Sequence, residues 1–238
     1  MKHYGKLTTK DTALTVTFTA LYAVFGFIKI SPIIGLPGQA ITAAAIIAPI
    51  IGILLGPYIG TLSAFLGGTI GFFLGALSYL SFASGVAAAF CAGMVKSGKR
   101  IISILAYLSL LLLFAFYPIV GPAWLFPLEL WFQIAGLIIL VSPLQSAAAR
   151  SLESGSNLKL LLGFFITCLT STLAGQIAGS LIFEALTPNA TTLLPTWQTL
   201  TVLYPVERIV IALGAMSIGA SLSKVLKSTN LWPGPRKR

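Results

Sequence analysis

Thirteen of the fifteen Lys and Arg residues fall in four short stretches, and the sequence between those stretches is apolar for lengths that suit a bilayer. The stretches are Lys2, Lys6 and Lys10; Lys96, Lys99 and Arg100; Arg150 and Lys159; and Lys224, Lys227, Arg236, Lys237 and Arg238. Lys29 and Arg208 stand apart. Hydrophobic residues make up 57% of the chain and charged ones 8%, and the mean hydropathy of +0.97 lies outside the soluble range. The basic excess therefore reads as loop charge held on the cytoplasmic side. Nucleic-acid binding is not expected, because the cations are confined to short connectors and form no exposed face.

A bilayer core of ~30 Å takes about 20 apolar residues per helix. Eight runs qualify, at roughly 13–30, 40–55, 59–80, 83–95, 101–117, 129–149, 160–183 and 204–226. Eight crossings return the chain to the cytoplasm at each basic stretch, which predicts an all-α polytopic protein of the cell membrane with both termini cytoplasmic. Residues 1–238 form one transmembrane domain in this reading. The run 83–95 is the shortest, and is expected to enter tilted or to reach back through Ser81. The first apolar run follows a polar segment and shows no cleavage site, so it is expected to remain as a span. Cys91 and Cys168 fall in predicted helices and read as packing residues. Asn189 opens an acceptor sequon in a predicted external loop.

Small residues recur in four-residue steps, the spacing that lets helix backbones approach in lipid. They are Ala48, Gly52, Gly56 and Gly60; Gly67, Gly71 and Gly75; Gly85, Ala89 and Gly93; Ser171, Gly175 and Gly179; and Ala215, Gly219 and Ser223. The segment 101–117 has no Gly and carries Leu at 110–113. It is expected to form, with the following run, a lipid-facing hairpin at 101–149. That hairpin lies at the edge of a compact core built from about 13–98 and 158–227.

The chemistry the chain lacks is informative. Its one His is His3 and its one Asp is Asp11, both before the first predicted span. A Ser-His protease, a His-rich metal site and an Asp-dependent lipid transferase each need such residues inside the membrane. Neither a catalytic centre, a metal site nor a cofactor is expected. Gly93 to Arg100 follows a phosphate-loop pattern until Arg100 stands where Ser or Thr should hold magnesium, so a basic turn explains it.

Polar residues gather in the predicted outer half: Gln39, Glu129, Gln133, Gln176, Glu184, Tyr204, Glu207 and Arg208. Ionisable groups at membrane depth are costly and raise a functional hypothesis by default. Arg208 can fork onto a carboxylate or phosphate of a small solute while Glu207 accepts from an amine or hydroxyl. The competing reading is an interhelical ion pair with no ligand. Pro205 is expected in the first turn of the last helix. Lys29 reads as a snorkelling interface residue, and Trp124, Trp131 and Trp197 as interface anchors.

Several segments resemble the substrate-binding S components of energy-coupling factor vitamin and metal transporters. They are Ala13 to Gly26, Ile50 to Gly60, Ala88 to Arg100, and Tyr204 to Lys227. Their order and spacing carry the resemblance, since no single motif is specific. That family has six helices, and the extra hairpin 101–149 is the departure. The resemblance implies an outward-opening solute site capped by the loop at about 31–38. It also implies three partner subunits, a transmembrane coupling subunit and two ATPases. Family coupling uses a pair of alanines four apart on the first helix; the matching face here reads Thr15, Thr19 and Ala23, so the pair is half kept. The expected function is capture of a small vitamin-like solute for ATP-driven import. The alternative is a non-catalytic accessory or structural subunit of a larger membrane complex.

Overall fold

A computed structural model describes residues 9–229, and everything structural below concerns those residues. Lys2, His3, Lys6, Arg236, Lys237 and Arg238, and with them the expected cytoplasmic termini, lie outside the described residues. The chain is predominantly helical. Helix α1 spans Thr9–Phe25, α2 Ala44–Leu55, α3 Pro57–Phe73, α4 Tyr79–Lys96 and α5 Arg100–Ala115. A short α6, Pro122–Leu125, and a 3₁₀ turn, Pro127–Leu130, precede α7, Trp131–Val141, and α8, Pro143–Ser151. The two longest helices close the chain, α9 at Asn157–Leu186 and α10 at Ala190–Ser228.

Three helices, α4, α9 and α10, are long and apolar enough to cross a membrane, or four if α7 and α8 count with the 3₁₀ turn as one bent span. The eight apolar runs each contain helix, but most do not hold it throughout. Residues 26–30 leave α1, and the run predicted from residue 40 begins as a strand. Lys29–Pro32 (β1) and Ala40–Thr42 (β2) pair antiparallel, Ser31 opposite Ile41, so the expectation of an all-helical chain is corrected by one small hairpin. The run 59–80 stops at Phe73, where Gly75 takes a positive φ of 72° that continued helix cannot use. By contrast 83–95 lengthens backward to Tyr79, because the Ser78 side chain caps the helix by accepting from the amide of Ser81 at 3.1 Å.

The run 129–149 is broken by Pro143, and the two parts meet at 69°. Proline cannot donate to the carbonyl four residues back. Here that carbonyl, of Ile139, accepts instead from the Ser142 hydroxyl at 2.8 Å. The same Ser142 oxygen accepts from the amide of Leu144 and so starts α8.

The largest departure is α10. The stretch 184–203, between two predicted spans, reads from sequence as an external loop, but α9 runs on to Leu186 and the chain is helix again from Ala190 onward. Asn189 caps it, its Oδ1 accepting from the Thr191 amide at 3.0 Å and the Thr191 hydroxyl at 2.7 Å. Leu193, Trp197 and Leu200 follow at helical spacing and are fully buried. Pro205 therefore stands in the interior of α10, with Pro195 one turn past its start. Trp197 is a core residue and no interface anchor: its ring packs edge-on to Phe114 and Phe183, and its indole donates to the carbonyl of Val120 at 3.2 Å.

Helix α9 is the centre of the bundle, packed by α4, α10, α8, α5 and α7. The small-residue steps mark the close crossings. A Cβ on Gly52 would lie 2.1 Å from the backbone oxygen of Ala89, and one on Gly175 would lie 2.5 Å from that of Ser84. Large apolar side chains stay exposed on the outside, among them Leu62, Phe65 and Phe73 of α3 and Val202, Val206 and Val210 of α10. Such a surface is expected of a protein solvated by lipid. Basic residues from three of the stretches gather at one end of the bundle. There Lys96 pairs with Glu153 at 2.5 Å, Lys227 donates to the Leu152 carbonyl at 3.3 Å, and Arg100 donates to the Ser142 carbonyl at 3.0 Å.

Candidate solute site

At the opposite end, the β1–β2 hairpin lies over a cavity walled by α1, α2, α4, α9 and α10. The cavity has a volume of about 50 Å³, room for several waters at roughly 10–15 Å³ each. Its floor and walls are mostly apolar or small, including Tyr22, Ala44, Ala48, Leu80, Gly85 and Ala88. Pro32, Ile33, Ile34, Ile41 and Thr42 of the hairpin segment face it from above.

Of the residues predicted from sequence, Gln176, Tyr204, Glu207 and Arg208 line this cavity. Tyr204 and Arg208 are four apart on α10, hence on one face, and the guanidinium lies over the Tyr204 ring at 5.5 Å from its centre. Arg208 is 4% exposed. Its Nη2 is 3.7 Å from Glu207 Oε2, an ion pair too long for a hydrogen bond. Glu207 Oε1 is occupied by the hydroxyl of Ser31, which ties β1 to α10. Arg208 Nε has no hydrogen-bond partner among the described residues, and neither has either amide atom of Gln176 or the hydroxyl of Thr42. A buried donor left unmade costs about 1–3 kcal/mol, and more when charged. Several of them around one cavity make a place where a polar ligand would satisfy what the fold leaves open.

Comparison with family models, curated proteins and solved structures found no match. The reading of the site rests on its geometry.

The remaining predicted residues are placed elsewhere. Glu129 and Gln133 form their own buried cluster: Glu129 Oε1 accepts from Gln133 Nε2 at 3.1 Å, and Oε2 accepts from the Thr201 hydroxyl at 2.9 Å. Tyr107 donates to the Gln133 carbonyl at 2.8 Å. Glu184 is fully buried and neither carboxylate oxygen has a hydrogen-bond partner among the described residues, but it does not line the cavity. Gln39 is exposed in the turn of the hairpin. Glu129, Glu184 and Glu207 are not hydrogen-bonded to one another, although Glu129 and Glu207 both lie within electrostatic reach of Tyr204.

On α1, Thr19 donates to the Ser63 carbonyl at 3.4 Å, Thr15 donates to the Asp11 carbonyl at 2.7 Å, and Ala23 is buried. Thr19 thus packs toward α3. The exposed face of α1 carries Val16, Ala20 and Val24.

Sequence reasoning did not single out Ser31, Thr42 or Ser180 as site residues. Most Ser and Thr in these helices return their hydroxyl to a carbonyl three or four residues back, as Thr170 and Ser171 do. Nothing local distinguishes the few that face a cavity.

Proposed function

We propose that this protein is a multi-pass membrane subunit that captures a small vitamin-like solute from the outer side for ATP-driven import, working with a transmembrane coupling subunit and two ATPase subunits. One observation carries the solute site: Arg208, almost wholly buried, borders a cavity with Nε unpartnered, beside the unpartnered amide of Gln176. A solute with a carboxylate or similar planar anion would take the guanidinium fork. Its donor groups would meet Glu207 and the Gln176 oxygen. The apolar walls would hold the remainder of a small molecule, in keeping with sites that combine apolar lining and a few convergent polar groups.

The resemblance to S components of energy-coupling factor transporters supports the importer assignment, and the gathering of basic residues from three of the stretches at the far end of the bundle suits a cytoplasmic face there. A solute larger than the space now open needs the β1–β2 hairpin to shift, with Ser31 releasing Glu207. The test is to purify the protein in mild detergent and identify the retained solute by mass spectrometry of the denatured sample. A carboxylate-bearing small molecule lost in Arg208→Ala is the expected result. No retained solute in the native protein, together with unchanged cellular uptake in Arg208→Ala, would remove the proposal.

A further inference from the structure

The basic end of the bundle contains a second cleft, between the C-terminal end of α4 and α8. Its volume is about 290 Å³. Lys96, Arg100, Arg150 and Glu153 line it, with Gly98 and Ser146. Three cations thus face one carboxylate, and that carboxylate is already taken by Lys96 at 2.5 Å.

The two arginines have donors to spare. Arg100 is anchored through Nη1 alone, to the Ser142 carbonyl at 3.0 Å and the Ser146 hydroxyl at 2.6 Å. Its Nη2 and Nε make no hydrogen bond among the described residues. The guanidinium of Arg150, in the last turn of α8, makes neither a hydrogen bond nor an ion pair among the described residues. The cleft wall is also stiff, because Gln145 is fully buried and bonded on both sides, to Thr167 at 3.3 Å and Thr170 at 3.1 Å.

We infer that this cleft is a binding site for a phosphate group, held by the guanidinium forks of Arg100 and Arg150 with Lys96 adding charge. Guanidinium matches phosphate oxygens by paired, charge-assisted hydrogen bonds. Basic pockets between membrane helices are a recognised form of anionic headgroup site. The sequence segment Gly93 to Arg100 that approaches a phosphate loop lies along one wall, but the loop chemistry itself is absent. The amides of Ser97, Gly98 and Lys99 are all bonded back into α4, to Gly93, Val95 and Met94. Recognition therefore belongs to side chains, and the phosphate can belong to an anionic phospholipid or to free phosphate from the adjoining solution.

The experiment uses the full chain with two probes. Radiolabelled inorganic phosphate is measured by equilibrium dialysis in neutral detergent. Phosphatidylglycerol retained from nanodiscs of phosphatidylcholine with a minor phosphatidylglycerol fraction is counted by native mass spectrometry. Arg150→Gln, which removes no hydrogen bond or ion pair among the described residues, should weaken saturable binding about tenfold. Lys224→Gln, an exposed lysine on α10, should leave it unchanged. Arg100→Gln should also weaken it, with its effect on folding read separately from its melting temperature. Retention of lipid alone assigns a headgroup, and retention of phosphate assigns the free ion. Binding of neither probe, or equal loss in Arg150→Gln and Lys224→Gln, overturns the proposal.

Discussion

The backbone carbonyl of Thr201 accepts a hydrogen bond from the indole of Trp131 at 3.1 Å. In an unbroken α10 it would serve the amide four residues on, which belongs to Pro205 and does not exist. The proline in the middle of the longest helix is thus accommodated by a side chain from the segment 101–149. The Thr201 hydroxyl meets the same segment through Glu129, and Trp197 meets it through Val120. The segment that sequence marked as a lipid-facing addition is bonded to the stretch of α10 that leads into Tyr204 and Arg208.

Replacing Trp131 by Phe leaves the Thr201 carbonyl without that donor, and should destabilise the protein by about 1 kcal/mol. In a Pro205→Ala background the new amide can serve Thr201, so the same substitution should cost less. Chemical unfolding in detergent of the two single variants and the double variant measures the coupling. Equal cost in both backgrounds would show that the indole does not compensate for the proline.

Ser31→Ala removes the link from the hairpin to Glu207. Amides paired within the hairpin segment, such as Ile33 with the Gln39 carbonyl, should exchange hydrogen faster by a factor of about ten. Amides in the middle of α9 should keep their protection. Hydrogen exchange read by mass spectrometry checks both.

Gly175→Ala places a methyl carbon 2.5 Å from the Ser84 backbone oxygen, which cannot rotate away. Destabilisation of about 1–3 kcal/mol is expected from the resulting overpacking. Gly179→Ala, one turn on, meets its nearest neighbour at 3.3 Å, and should cost under about 1 kcal/mol. Melting temperatures of the two variants in one detergent rank them.

Acid should weaken the basic end of the bundle. The hydrogen bond and charge of Lys96 hold the Glu153 carboxyl below the usual carboxylate range. A carboxyl depressed in the folded state contributes stability above its unfolded pKa of about 4.3, and loses it as pH falls through the lower folded value. With Glu153 more than half exposed, solvent screening limits the effect to roughly 0–1 kcal/mol. Unfolding curves from neutral pH downward should show this loss in the native protein, and a flatter profile in Glu153→Gln.

Much of the helical content was legible because apolar run length and small-residue spacing are local properties. Gly52 and Gly175 stood in four-residue steps and are found at the closest crossings, since only a missing side chain permits them. The limits of the helices were less legible. Pro195 and Pro205 read as loop and first turn, yet Asn189 nucleates a helix through the first and Trp131 supports the second. A capping side chain and a distant indole override what the prolines say locally.

The site divides in the same way. Sequence determined that Tyr204 and Arg208 share a face, because helical periodicity fixes it, and that an arginine within an apolar run is costly enough to need a purpose. Only the tertiary structure decided that Gln176 of α9 joins them while Glu129 and Gln133 bond to Thr201 instead, and that Ser31 closes onto Glu207. Partners separated by up to 176 positions meet through helix packing, and packing depends on the shape of every surface in the bundle at once.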